Sequence, residues 1–90
     1  MTQPLFETDP DFVWRSGFYD GYFVEVQRTG NWSGRLYIFH YDPKTQYSRL
    51  VMSLEEEVSL SFGARPDPDE MDIQNWQREM ENFLYSVNCH

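Results

Sequence analysis

The residues from which a nucleophilic or metal site would be built are few: His40, His90 and the single cysteine Cys89. A nucleophile needs a base within hydrogen-bond reach and a third group to orient it. His40 lies two residues before Asp42 with Ser33 and Ser48 not far along the chain, but nothing in that spacing singles out a triad. Its ordinary reading is a strand histidine, packed or partly exposed. Cys89, His90 and His40 make three soft ligands, short of the four at recognisable spacing that mark a structural zinc site. Asp67-Pro68-Asp69 carries proline where a calcium loop needs flexibility, and it lacks the loop's glycine and distal glutamate. The five glycines stand singly, so there is no phosphate loop. We therefore assign no catalytic residue, no metal and no cofactor, and expect no enzyme.

The carboxylates are plentiful and unevenly spread. The formal charge of −8 divides into −3 for residues 1–12, +2 for 13–53 and −7 for 54–90. Crowded acids of this kind are usually solvated rather than set apart as an acid/base pair. Asp67, Asp69, Glu70 and Asp72 have a local cause, because negative charge at a helix N-terminus is favourable by about 0.3 to 1 kcal/mol each. Glu55, Glu56 and Glu57 have none, nor do Glu79 and Glu81. A cluster with few basic residues to offset it costs stability by self-repulsion, repels nucleic acid and anionic membrane, and attracts basic partners.

Aromatic side chains are the second resource: seven Phe, six Tyr and three Trp in 90 residues. In the run RLYIFHY, Tyr37, Phe39 and Tyr41 share one strand face and could stack bases, as single-stranded RNA binders do. The charge opposes this, since the sequence pI is about 4.5 and no RNP-like run is present.

Ninety residues make one domain of modest stability, in which a few large rings must build much of the core. One cysteine excludes an intramolecular disulfide and fits a reducing compartment. The first residues, MTQPLFETDPDF, have no basic region or apolar run, and no stretch reaches the ~20 apolar residues of a membrane span. A cytoplasmic protein is expected.

These residues must be positioned by a small set of elements. Residues 1–11 are polar, hold two prolines and are expected to lie loosely on the surface, pinned by Leu5 and Phe6, with Asp9-Pro10-Asp11 starting one turn. Residues 12–90 form a single α+β domain. Phe12 to Tyr19 and Tyr22 to Arg28 flank Asp20-Gly21, the dipeptide of a type I′ hairpin, with Gly17 as a candidate bulge. Residues 29–34 make a turn containing Trp32. Residues 35–41 are apolar on both faces and read as a central strand. Asp42-Pro43-Lys44-Thr45 turns into a fourth strand from about Tyr47 to Met52. A tight turn at Ser53 to Glu56 and alternation over 58–62 add a short fifth strand, so that the sheet runs over about 12–62. Asp67 then caps a helix over about 68–87, whose Ile73, Trp76, Met80, Phe83, Leu84 and Val87 form one apolar stripe. The expected architecture is two layers: an antiparallel meander of four to five strands packed against one C-terminal helix.

The function these features favour is a small acidic, non-enzymatic binding protein that occupies a basic site on a larger protein, such as a nuclease or nucleic-acid channel. Anti-CRISPR inhibitors and toxin immunity proteins act in that way, an analogy of size and charge alone. The expected contact residues are Glu55, Glu56, Glu57, Asp67, Asp69, Glu70 and Asp72, with Trp32 as an aromatic anchor. Two other readings stay open. One is an accessory or assembly domain whose aromatic sheet face carries a homodimer or partner contact, and the other is a small-ligand or single-stranded RNA binder using Tyr37, Phe39 and Tyr41. Monomer and homodimer are not distinguished.

Overall fold

The computed structural model describes residues 3–60 and 68–88. The chain forms β1 (Phe12–Arg15), β2 (Tyr22–Arg28), β3 (Ser33–Asp42), β4 (Tyr47–Ser53), β5 (Val58–Ser59) and α1 (Glu70–Asn88). β1 to β4 lie side by side in chain order, each antiparallel to the next, and one helix packs on the sheet. This is the expected α+β meander.

Period-two patterning decides which face each strand buries. Val24 and Val26 on β2 and Leu36 and Ile38 on β3 point to the helix, where they join Val13, Leu60, Trp76 and Met80 in the core. Trp14 lies 5.4 Å from Trp76, and Tyr22 lies 5.2 Å from Phe83, centroid to centroid, so the helical stripe docks with rings at both ends. α1 begins at Glu70, two residues later than the sequence suggests, and Asp67 and Gly63 lie outside the described residues.

The first hairpin turns as its dipeptide requires, with Asp20 at φ 55° and Gly21 at φ 84°. Its first strand is shorter than the run of aromatics suggested. After Arg15↔Glu25 the pairing lapses until the isolated bridge Tyr19↔Tyr22, leaving Ser16, Gly17 and Phe18 opposite Phe23 and Val24. The Ser16 N–H still donates to Val24 O at 2.9 Å while the Ser16 hydroxyl receives the Val24 N–H in place of a ladder bond, so Gly17 and Phe18 together stand opposite Phe23, and the register shift within β1 itself falls at Val13, between Phe12 and Trp14. Gly34 serves a different need: a Cβ there would come within 2.9 Å of Gln27 O and 3.3 Å of Val26 Cγ1, so β2 and β3 close only around glycine.

β5 is not a further strand of the meander beyond β4. It pairs with the start of β3, Ser33↔Ser59 and Gly34↔Val58, on the same edge that β4 occupies farther along. Between the two, the Leu54 N–H donates to Leu36 O. Three residues, Glu55, Glu56 and Glu57, therefore stand opposite Arg35 alone, and the excess is pushed out of the sheet edge.

The face of the sheet away from α1 is crossed by the N-terminal segment. Glu25 projects there from the middle of β2 and is 0% exposed. Its carboxylate accepts the Leu5 N–H at 3.0 Å, an Arg15 guanidinium hydrogen at 2.9 Å and the Gln27 amide at 3.3 Å. Arg15 also donates to Leu5 O, and Gln27 to Gln3 O at 3.1 Å. Leu5 is thus held by an ion pair whose carboxylate is buried, and Gln3 by the Gln27 amide. Leu5 is fixed through its backbone, whereas Phe6, expected to help, is 85% exposed. Asp9 makes the expected local turn, its carboxylate receiving the Asp11 N–H.

Candidate functional site

The Glu55–Glu57 excursion is positioned by Arg35, which sits directly across from it on β3. Arg35 Nη1 donates to Leu54 O at 3.1 Å and to Glu55 O at 3.0 Å, and Nη2 lies 3.7 Å from Glu57 Oε1. One guanidinium thus satisfies two carbonyls that the excursion removes from the ladder. With those carbonyls bound, all three glutamates remain exposed, because the ion pair to Glu57 is long and Glu57 keeps nearly half of its side-chain surface.

Trp32 stands at the same end of the sheet. Its carbonyl accepts the Leu60 N–H at 2.8 Å, which ties its loop to the end of β5. Arg28 Nη1 donates to Asn31 O at 2.9 Å and braces the loop from β2. The indole is 66% exposed, so it is presented on a braced loop and does not fold back on the sheet.

The helix start is brought to this end as well. Asp72, Asn75, Trp76 and Glu79 line one shallow depression together with Val58 and Ser59, the residues that follow Glu57. The two acidic runs, distant in sequence, therefore flank a common feature. Within that set the structure separates the residues. Glu70 is exposed and Asp69 half-buried, but Asp72 is only 8% exposed, which leaves little of it for a partner surface. Asp67 lies outside the described residues. Glu79 is half-buried beside β5, a place that helical spacing alone does not reveal because it depends on where the sheet edge runs.

Among the described basic residues, Arg28 lies at this end and braces the Trp32 loop, and Arg78 lies on α1 next to Glu79. Arg35 is engaged by the excursion, and Arg15 by Glu25. Lys44 and Arg49 lie at the far end of β3 and β4, past a strand of ten residues that spans roughly 33 Å at ~3.3 Å per residue.

The other candidate chemistries come apart in three dimensions. Ser33 begins β3 and His40 nearly ends it, so they are far apart, and Ser33 Oγ lies 3.1 Å from Thr29 Oγ1. Ser48 pairs with Tyr41, one position from Arg49↔His40, and so faces the opposite side of the sheet from the imidazole. His40 packs edge-on against Tyr22 at 4.7 Å and shares an open depression with Asp42, Thr45, Tyr47 and Arg49. No group of three metal-ligating side chains occurs among the described residues, and Cys89 and His90 lie outside them. The Tyr37, Phe39 and Tyr41 face is not three free rings. Phe39 is 0% exposed and stacks on Phe23 at 5.3 Å, with Phe18 edge-on to Phe23 at 5.4 Å.

No helix among the described residues is long and apolar enough to cross a membrane. No known family model matches this chain, and comparison with curated proteins and with solved structures finds no match.

Proposed function

We propose that this chain is a non-catalytic binding protein whose acidic end occupies a basic site on a larger protein. The observation that carries the reading is the Glu55–Glu57 excursion. Three consecutive carboxylates are expelled from a sheet edge and held out by Arg35, next to the exposed Trp32 and the acidic first turn of α1. Charge held at a fixed place steers encounter and sets orientation, and an exposed aromatic beside it supplies the apolar anchor on which affinity usually depends. The contact set is Glu55, Glu56, Glu57, Asp69, Glu70 and Trp32. A nuclease or nucleic-acid channel is the partner class that this charge fits best, which would make the protein an inhibitor of the immunity or anti-defence type, acting in the cytoplasm.

The test is capture of partners from source-cell lysate on the immobilised chain over a salt series. The reading predicts a basic protein retained at low salt and released as exposed charges become screened, since the Debye length falls from about 10 Å at 0.1 M to about 3 Å at 1 M. Copurification of nucleic acid with the purified chain, seen as absorbance at 260 nm, would instead favour the stacking face and count against this reading.

A further inference from the structure

The outer edge of β4 has no strand paired to it among the described residues. The direction of its backbone groups follows from β3. The Tyr41 N–H donates to Gly21 O on the far side, so His40 and Asp42 turn toward β4. Their partners Arg49 and Tyr47 therefore point inward, and the backbone groups of Ser48 and Leu50 point out to solvent. The strand also exposes Tyr47, Val51 and Met52, with Tyr47 77% exposed. On its helix side, Met52, Leu54, Leu36, Ile38 and Phe83 line a groove of about 220 Å³ that α1 leaves open.

Charge along this edge is asymmetric. Lys44 stands in the turn before β4, where its N–H donates to Asp42 at the end of β3, β4 itself carries Arg49 and no acid, and Glu55, Glu56 and Glu57 follow its end. A strand that is basic at its start and acidic past its end is complementary to itself when reversed.

We propose that the β4 edge pairs antiparallel with the β4 edge of a second copy of this chain, joining two sheets across a two-fold axis near Leu50. Antiparallel register about Leu50 sets Tyr47 close to Ser53 and Leu54 of the other copy. It brings Lys44 of each copy alongside Glu56 and Glu57 of the other. The irregularity at Val51, where the β3–β4 register shifts between Ile38 and Phe39, twists the edge away from a straight strand. Under this two-fold the irregularity of each copy lies opposite Ser48 to Leu50 of the other, so the paired edge carries one bulge on each side of the axis. Met52 and Leu54 of both copies are then covered beneath the two helices. The proposal does not rest on the partner reading above. It adds that self-pairing and engagement of a basic partner compete for Glu56 and Glu57.

The experiment is sedimentation equilibrium of the full chain over a wide concentration range, with two charge variants. Wild type is expected to show a monomer–dimer equilibrium. Lys44→Glu sets four acids against one another at each junction, and E55K/E56K/E57K sets four bases, so each alone should dimerise roughly tenfold more weakly or worse. Mixed in equal amounts, the two should form a heterodimer, because both of its junctions pair opposite charges. All of these positions are exposed, and because Glu57 pairs with Arg35, circular dichroism and thermal melts matching wild type establish that each variant keeps the fold before its dimerisation is compared. A wild type that stays monomeric throughout would overturn the proposal, as would a dimer indifferent to both variants or a mixture that shows no heterodimer.

Discussion

Glu25 is held by three groups, the Leu5 N–H, the Arg15 guanidinium and the Gln27 amide, and its neighbours in sequence give no sign of it. It alternates with Phe23 and Gln27 on the face that patterning reads as wet, yet it is fully buried because residues 3–5 cross over it. That closure depends on a contact twenty residues away, and no local period encodes it. The guanidinium of Arg15 lies over the Phe12 and Phe23 rings at 5.2 and 5.7 Å, which flank it while its side chain stays 31% exposed. Truncating Glu25 to Ala leaves Arg15 without its counter-charge and the Leu5 N–H without its acceptor. We expect a loss of about 3 to 5 kcal/mol in urea unfolding. Replacing both members of the pair, Arg15→Met with Glu25→Leu, should recover much of it. A single Glu25→Ala variant within 1 kcal/mol of wild type by the same measurement would show that the segment is not clasped as described.

At the scale of elements, the α1 stripe and the Asp20-Gly21 hairpin were legible, because helical spacing and turn chemistry are local signals. Trp76 is at the centre of the helix-sheet contact, against Trp14. Trp76→Ala should cost roughly 3 to 5 kcal/mol, a sizeable part of a small domain's stability, and a thermal melt unchanged within a degree or two would contradict the docking. Gly34→Ala forces a Cβ toward a backbone carbonyl that cannot swing aside, and should cost about 1 to 3 kcal/mol in the same melts. The place of β5 was not legible. Alternation at Val58 to Ser61 signals a strand but not its neighbour, and a two-residue pairing to the start of β3 is set by the excursion that precedes it. Arg35 is the residue that local reading passed over. Opposite the excursion it holds two carbonyls, and Arg35→Ala should lower stability by about 1 to 3 kcal/mol, measured by denaturant unfolding, and loosen the presentation of Glu55 to Glu57.

For the whole molecule, the Glu55–Glu57 run and the start of α1, separate in sequence, come toward the same end of the sheet. β3 carries the chain from Trp32 and the acidic excursion at one end to the Asp42–Lys44 turn at the other, and α1 starts at the acidic end. Composition showed that the acid was concentrated. It could not show that Val58 and Ser59, which follow Glu57, line one depression with Asp72 and Glu79, because that depends on β5 lying on the β3 edge, nor that Asp72 is buried. The central claim is that this assembled end recognises a basic protein. The most direct measurement compares wild type with E55Q/E56Q/E57Q in lysate capture at low salt, with retained proteins identified by mass spectrometry. The account predicts that a basic protein retained by wild type is lost from the triple variant, while the variant keeps its melting temperature. Equal retention by the two chains would contradict it.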